Sequence, residues 1–200
     1  MTSIGKDLEK AKEKLLLGGV ISFPTETVMG LGIVYDNYDA YSRLNKLKGK
    51  REDKPYTMML SSVEEIEQYA YVDDAAKKVI NAFLPGPLTI LLKAKENVPV
   101  YVTHDTGVIG IRVPNFPILN ELLDLVKKPL LVPSANPSNL VPAVTVAQVC
   151  IYFNDTLEYI VNNDSQNELP STIVDMSKKD VKVLREGKIK IEEILKIIGD

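Results

Sequence analysis

The chain has 200 residues, 45% of them hydrophobic and 26% charged, with a formal net charge of −3 at pH 7. This length and balance are those of a globular chain that can bury a substantial core. No run in the sequence approaches the ~20 apolar residues that a membrane-spanning helix needs. The negative net charge and the lack of a long basic tract disfavour a protein that mainly wraps nucleic acid.

The N-terminal segment and the cysteine content bear on location. The first 19 residues, MTSIGKDLEKAKEKLLLGG, are charged and helically periodic, so they do not resemble a signal peptide. Cys150 is the only cysteine and lies in the apolar run VAQVCIYF, where we expect a packed thiol and not a nucleophile. We therefore expect a cytoplasmic protein without an intrachain disulfide.

In chain order, the hydrophobic pattern predicts helices interspersed with short strands. The predicted helices cover 6–17, 36–49, 61–70, 74–83, 117–126, 144–153 and 190–198. The predicted strands cover 20–23, 56–60, 88–94, 107–113, 157–161, 171–176 and 181–186, and one more opens the segment 129–136. Several strands follow one another without a helix between them, which favours an α/β fold with a mixed sheet.

Helix-end signals and the lack of breaks complete this prediction. Gly18 is expected to end the first helix, Asp36 to cap the second, and Ser62 with Glu65 to form a capping box at the third. The chain contains no repeat, low-complexity tract or long linker. We therefore expect a single domain over residues 1–200.

A polar stretch, SFPTETVMGLG (22–32), follows the first predicted strand. It lacks the lysine of a Walker loop, and it lacks the third glycine and later acidic residue of a dinucleotide fingerprint. Gly30 and Gly32 are interpreted as turn glycines. Thr25 and Thr27 then remain as two hydroxyls around the Glu26 carboxylate at a strand end, for which a plain turn is the alternative.

Arg112 is one of only four arginines, against twenty lysines. In the motif GVIGIRVP, strand alternation places Ile109, Ile111 and Val113 on one face and Arg112 on the other. A charge in such apolar surroundings must face solvent, a cleft or a partner.

Further motifs place hydrogen-bonding groups near strand ends. KLKGKREDKP carries cations, VPSANPS a hydroxyl and an amide, LPSTIVD a hydroxyl and VLREG an arginine. The residues concerned are Lys46, Lys48, Lys50, Arg51, Lys54, Ser134, Asn136, Ser171 and Arg185. Although the lysine-rich segment alone reads as a solvated charge run, the whole set suits an anionic substrate held by charge-assisted hydrogen bonds.

The motifs PTETVMGLG, KGKREDKPYTMML, PGPLTILL, GVIGIRVP, PSANPS, STIVD and LREG occur in the order typical of the YrdC-like family, the threonylcarbamoyl-AMP synthases. The resemblance runs from the first helix to Arg185. It implies a twisted mixed α/β sheet with a concave, basic cavity, in the single-domain form.

The resemblance also implies a nucleotidyltransferase reaction. L-Threonine, bicarbonate or CO₂, and ATP with its Mg²⁺ would give threonylcarbamoyl-AMP and pyrophosphate. A separate protein complex would then transfer the threonylcarbamoyl group to an adenosine of tRNA. This chain itself would make at most a weak RNA contact and no membrane contact.

Carried over residue by residue, the resemblance implies two groups of site residues. The threonine end would be formed by Thr25, Thr27, Arg112, Ser134 and Ser171. The nucleotide end would be formed by Lys48, Lys50, Arg51, Lys54, Asn136 and Arg185. Lys48 and Lys50 would position the reacting groups, no protein nucleophile is needed, and the base that removes the ammonium proton stays open. His104, the only histidine, is expected to have a surface role.

The sequence departs from the family pattern at four positions. Lys50 stands where the Lys-x-Arg motif has arginine, and Arg51 could supply the missing guanidinium. Met29, Met59 and Val108 stand where tyrosine, histidine and threonine are common. Family drift is one explanation. The alternative is a paralogue that has lost or changed its activity, such as one acting on another substrate. A non-catalytic RNA-binding module is a rival function for the whole chain, which its net negative charge and scattered cations disfavour.

Overall fold

The computed structural model of the chain describes residues 2–49, 55–165 and 169–199. Within these ranges the strands are Ser3–Gly5 (β1), Ile21–Phe23 (β2), Gly30–Val34 (β3), Thr57–Met59 (β4), Ala70–Tyr71 (β5), Leu88–Ala94 (β6), Val108–Arg112 (β7), Leu130–Leu131 (β8), Tyr159–Val161 (β9), Thr172–Asp175 (β10) and Lys182–Arg185 (β11). The α-helices are Leu8–Leu16 (α1), Tyr38–Lys48 (α2), Ile66–Tyr69 (α3), Asp74–Phe83 (α4), Val100–Thr103 (α5), Pro117–Val126 (α6), Val146–Phe153 (α7) and Ile191–Gly199 (α8). Among these helices none is long and apolar enough to cross a membrane.

The strands form one sheet in the order β1-β9-β2-β3-β8-β4-β7-β6-β10-β11, and β5 pairs with β6. The pairs β1–β9, β2–β9, β4–β7 and β6–β10 are parallel, whereas the other pairs are antiparallel. The predicted mixed α/β sheet is therefore confirmed.

Two hydrophobic cores lie on the two faces of this sheet. Buried residues of α1 and α6 belong to the smaller core, and those of α2, α4, α7 and α8 belong to the larger one. Consecutive strand residues join different cores: Met58 joins the larger and Met59 the smaller. This alternation is the one that a pleated strand imposes. Cys150 packs against the larger core, as expected for a structural thiol.

Two of the predicted helix ends are wrong in detail. Gly18 does follow α1 and has a positive φ of 81°, but α2 is capped by Asn37, whose side chain accepts a hydrogen bond from the amide of Ala40. Asp36 is thus one residue too early. Asparagine and aspartate cap helices about equally well, so adjacent candidates cannot be separated from sequence.

The predicted capping box at Ser62 is also wrong, because the Ser62 side chain makes no capping hydrogen bond. The segment forms a short 3-10 helix, Val63–Glu65, before the single turn of α3. A complete capping box instead opens α7, where Thr145 and Gln148 bond reciprocally to each other's backbone amides.

The two glycines of the opening stretch are not turn glycines. Gly30 and Gly32 lie inside β3, a strand that the sequence pattern does not predict, and neither has a positive φ. A Cβ at Gly32 would stand 2.3 Å from a ring carbon of Phe23, and one at Gly30 would stand 2.7 Å from Val132. Gly32 is therefore required by the close packing of the Phe23 ring, and Gly30 by that of the Val132 side chain, against β3.

Candidate functional site

A cavity of about 300 Å³ lies over five adjacent strands, β4, β7, β6, β10 and β11. Met59 pairs with Arg112 across β4 and β7, and Ile173 pairs with both Thr89 and Arg185. The β6–β7 ladder brings Thr89 beside Arg112. Residues opposite one another on neighbouring strands share a face, and all five of these residues line the cavity.

The walls of the cavity come from loops and a helix end. The loop between β2 and β3 supplies Thr25 and Thr27, the last turn of α2 supplies Lys48, and the segment after β8 supplies Ser134. Ser171 lies just before β10. Residues distant in sequence thus converge because the sheet order interleaves early and late strands.

Arg112 faces the cavity because side chains alternate along β7 and its neighbours on the strand face the larger core. Ile109, Ile111 and Val113 belong to the larger core, as the alternation predicted. The Arg112 side chain is only 4% exposed, and its Nη2 lies 2.7 Å from Oε1 of Glu26.

The Arg112 guanidinium is held at two further nitrogens. Nε donates to the Gly86 carbonyl at 3.3 Å, and Nη1 donates to the Thr27 hydroxyl at 3.3 Å. Glu26 is fixed in turn, because its Oε1 accepts a hydrogen bond of 3.1 Å from the Asn115 amide. Since a guanidinium has five N–H donors, these three protein oxygens leave donors for a ligand.

The hydroxyls of Thr25 and Thr27 form a chain with a defined direction. Thr25 donates to the Val28 carbonyl at 2.8 Å, so the 2.9 Å contact between the two hydroxyls must be a donation from Thr27 to Thr25. Thr25 also accepts from the Thr27 amide at 3.0 Å, which fills its hydrogen-bonding capacity. Thr27, which accepts from Arg112, keeps one lone pair for a donor in the cavity.

Arg185, on β11, lies at the opposite end of the cavity floor from Met59 on β4. Its Nε donates to the Ser171 carbonyl at 2.9 Å, and its Nη2 donates to the Ser171 hydroxyl at 3.2 Å. The Ser171 hydroxyl is also 2.9 Å from that of Thr89. Burial, and secondarily the positive charge of Arg112, lower the pKa of Arg185. The two guanidinium groups therefore favour an anion between or beside them.

The backbone around Thr172 and Gly187 fixes the position of Arg185. The Thr172 hydroxyl donates to the Ile189 carbonyl at 2.7 Å and accepts from the amides of Gly187 and Ile189. A Cβ at Gly187 would lie 2.3 Å from the Pro170 carbonyl oxygen. Only glycine allows this close approach of two backbone segments.

The Ser134–Asn136 segment is tied to α2 through Lys48. The Lys48 ammonium donates to the carbonyls of Ser134 and Asn136 at 2.7 and 2.6 Å and to Oδ1 of Asn136 at 3.2 Å. Ser134 donates its hydroxyl proton to the same Oδ1 at 2.6 Å, so its lone pairs can accept from a ligand. The Asn136 amide nitrogen donates to the carbonyls of Pro137 and Leu140.

The structure brings most of the sequence-predicted residues together. Among those it describes, the cavity lining includes Thr25, Thr27, Lys48, Arg112, Ser134, Ser171 and Arg185. Asn136 is not among the lining residues and lies behind Ser134, where its side chain is engaged by protein groups. Its predicted nucleotide contact stays a prediction, as do those of Lys50, Arg51 and Lys54, which lie outside the described residues.

Of the remaining residues singled out in the sequence, some line the cavity and others do not. Met29 and Met59 line the cavity, whereas Val108 lies at the opposite end of β7 from Arg112. His104 is half-buried, does not line the cavity, and is 2.6 Å from the hydroxyl of Tyr41.

Sequence reasoning did not assign a role to Glu26 or Thr89. Glu26 was singled out only as a carboxylate between two hydroxyls. The signal available was its charge, opposite to that of Arg112, beside the end of a predicted apolar strand. Thr89 is a polar residue inside the apolar run LTILLKA, and strand alternation places it on the Arg112 face.

The described residues contain no cluster of three or more histidine, cysteine, aspartate or glutamate side chains that could hold a metal ion. A magnesium ion that enters with ATP takes most of its ligands from phosphate oxygens and water. The described lining of the cavity fits such a substrate-borne ion, since it offers cations to phosphate and no acidic cluster of its own.

The chain matches known proteins over most of its length. The sequence profile of the Sua5/YciO/YrdC family, described as "Telomere recombination", matches residues 13–187. The chain belongs to the Sua5/YciO/YrdC family. The YrdC-like resemblance seen in the sequence motifs is thereby confirmed.

Individual relatives agree with this membership. A curated protein of Methanocaldococcus jannaschii is 35% identical over 190 residues, covering 94% of this chain and 89% of the relative. The threonylcarbamoyl-AMP synthase of Marinobacter nauticus is 33% identical over 172 residues, covering 84% of this chain and 90% of the relative.

A solved structure carries the same fold. The crystal structure of Pyrococcus abyssi Sua5 complexed with L-threonine has a TM-score of 0.92 and 29% sequence identity. The match covers 99% of this chain but 60% of that chain. The family fold therefore spans this whole chain, which corresponds to about three fifths of the pyrococcal protein.

Proposed function

We propose that this chain is a threonylcarbamoyl-AMP synthase, a nucleotidyltransferase that joins L-threonine, bicarbonate or CO₂, and the AMP moiety of ATP, and releases pyrophosphate. The observation that carries the proposal is the convergence of Arg112, Arg185, Thr27 and Ser134 on one cavity, in a chain whose relatives carry this activity. The product would serve the modification of tRNA by a separate complex, and the synthase would act in the cytoplasm.

The donors and acceptors of the cavity suit a hydroxy amino acid. Arg112 offers N–H groups to the threonine carboxylate, as the family resemblance implied. Thr27 and Ser134 each have committed their own hydroxyl proton to a protein acceptor. They can therefore only accept, which suits the ammonium or hydroxyl group of threonine.

Arg185 would act on the nucleotide. Its guanidinium is partly desolvated and fixed by Ser171, so it is preorganised for negative charge that develops on the phosphates. When the carbamate oxygen attacks the α-phosphorus, such a fixed cation stabilises the transition state without reorganisation. Magnesium bound to ATP would neutralise the triphosphate charge and favour pyrophosphate as leaving group.

No described residue that lines the cavity is a carboxylate or a histidine. The described lining residues therefore have positioning roles in this proposal. Positioning of two reactants can itself supply much of the rate enhancement.

An amino-acid panel tests this proposal. The purified chain is incubated with ATP, Mg²⁺ and ¹⁴C-bicarbonate, and the labelled AMP adduct is measured with threonine, serine, valine or no amino acid. Threonine should give the adduct, whereas valine, which has the same shape without the hydroxyl, should react at less than about a hundredth of that rate. A preference for another amino acid would contradict the threonine assignment and indicate a paralogue with a changed substrate.

A further inference from the structure

The two arginines of the cavity differ in how their charge is compensated. Arg112 Nη2 lies 2.7 Å from the Glu26 carboxylate, and both side chains are almost fully buried, 4% and 11% exposed. Arg185 bonds to the carbonyl and hydroxyl of Ser171, which are neutral groups. Within the described part of the chain, no carboxylate forms an ion pair with Arg185.

This difference gives the cavity an uneven charge. An anion beside Arg185 meets an uncompensated positive charge, and the low dielectric of a partly buried site strengthens that attraction. An anion beside Arg112 also meets the negative charge of Glu26. Glu26 cannot easily turn away, because the Asn115 amide and the Arg112 guanidinium both hold its Oε1.

Threonine and ATP, the two proposed substrates, also differ in net charge. Threonine is a zwitterion without net charge, so its carboxylate can meet Arg112 while its ammonium meets nearby acceptors such as Thr27. Phosphate groups of ATP or pyrophosphate carry only negative charge, so they gain from Arg185 but are repelled by Glu26. Specificity between anions often rests on such a repulsive element.

We propose that Glu26 is a specificity residue that keeps phosphate groups out of the Arg112 end of the cavity and so assigns that end to the zwitterionic amino acid. The inference rests on the proposed function of the same site, which it deepens. It gives the Glu26–Arg112 pair a role in substrate sorting as well as in holding Arg112.

Competition binding with inorganic phosphate tests the inference without turnover. Binding of L-threonine and of ATP is measured by titration calorimetry at increasing phosphate. In the wild-type chain, phosphate that weakens ATP binding tenfold should change the threonine Kd less than about twofold. In Glu26→Gln, which keeps the shape but removes the charge, the same phosphate should raise the apparent threonine Kd clearly more than in the wild type, by up to about tenfold, since one lost charge–charge term of this kind tightens phosphate binding by about that factor.

Two variants serve as controls. Glu26→Asp keeps the charge and should keep phosphate from competing with threonine. Glu158→Gln removes the carboxylate of another arginine–glutamate pair, 2.8 Å from Arg43 and outside the cavity lining, and should behave as the wild type. Thermal melting of each variant shows that it is folded.

The outcomes separate the inference from the function on which it rests. Threonine binding in the wild type, with phosphate competition unchanged in Glu26→Gln, would overturn the inference alone. If Glu26→Gln does not fold, the wild-type titrations still decide, because phosphate that displaces threonine as readily as ATP would overturn it. A wild-type chain that binds ATP but no threonine would contradict the proposed function and remove the inference with it.

Discussion

The ammonium group of Lys48 holds the Ser134–Asn136 segment, which forms part of the cavity wall, in place. It donates to two carbonyls and an amide oxygen of the Ser134–Asn136 segment, and the Ser138 amide returns a bond of 2.7 Å to the Lys48 carbonyl. Lys48 thereby anchors the segment to the end of α2. The observed bonds give this lysine an anchoring role, and its predicted contact with the nucleotide phosphates stays a prediction, since Lys48 also lines the cavity.

Lys48→Met tests that role. The buried carbonyls would lose charge-assisted partners, so we expect a loss of roughly 2–4 kcal/mol in the free energy of unfolding. For a chain of this size that is a fall in Tm of roughly 5–15 °C. Lys46→Met, on the exposed side of the same helix, is the matched control and should change Tm little. Equal Tm values for the two variants would show that Lys48 is not an anchor.

Individual side chains were the part of the site that the sequence predicted best. Arg112 was placed correctly because strand alternation is a local rule. The partnership of Glu26 with Arg112 links residues 86 positions apart, and the direction of the Thr27-to-Thr25 bond depends on the Val28 carbonyl. Neither can be read from local pattern.

The strands position these side chains in two ways: through the register in which they pair, and through close contacts that glycines allow. Met59, Arg112, Thr89, Ile173 and Arg185 lie side by side because they occupy facing or adjacent positions on five neighbouring strands, and a register shift beside Ile173 brings Arg185 opposite it. Strand β3 was not predicted because its glycines are typical of turns. In the structure, the side chains of Phe23 and Val132 fill the space that side chains at the glycine positions would take. Which partner approaches a glycine is set by tertiary packing, so the sequence could not distinguish a turn from a tightly packed strand.

Gly187→Ala tests the backbone contact that places Arg185. The added Cβ would collide with the Pro170 carbonyl, so the segment after β11 must move away from Ser171. We expect a loss of roughly 1–3 kcal/mol in stability, typical of overpacking, and a KM for ATP raised at least about threefold, because Arg185 loses its fixed geometry. Gly199→Ala has open space around it and serves as control. An unchanged KM for ATP in folded Gly187→Ala would contradict the positioning role.

Across the whole molecule, the mixed sheet and the helices on its two faces were largely predictable because their apolar spacing is regular. The order of the strands was not, since pairs such as β1 with β9 join segments that are far apart in the chain. The cavity depends on that order. The cavity lies on the same face of the sheet as the smaller core. On one part of this face buried strand residues pack against α1 and α6, and on the next part polar and cationic side chains line the cavity.

A set of tyrosines beside α2 and α5 makes the stability of the whole chain depend on alkaline pH. Burial, and secondarily nearby acidic and phenolic groups, raise the pKa of Tyr101 and of Tyr69 to about 12. The unfolded chain releases these protons near pH 10. Between these values the folded state binds more protons, so the free energy of unfolding falls as pH rises.

Urea unfolding at pH 9 and pH 11.5 measures this effect. Tyr101→Phe removes one of the two phenols, so its urea midpoint should fall less between the two pH values than that of the wild type. Tyr71→Phe, at a tyrosine that is 53% exposed, should follow the wild type. A Tyr101→Phe midpoint that falls as steeply as the wild-type midpoint would show that the phenol does not contribute.

Pyrophosphate release is the most direct test of the proposed synthesis of threonylcarbamoyl-AMP. The purified chain is given ATP and Mg²⁺, with L-threonine and bicarbonate added singly and together. We expect release that requires both, because the carbamate formed from threonine and bicarbonate is the nucleophile that attacks the α-phosphorus. No release, or release that is indifferent to threonine, would contradict the assignment of this cavity to threonylcarbamoyl-AMP synthesis.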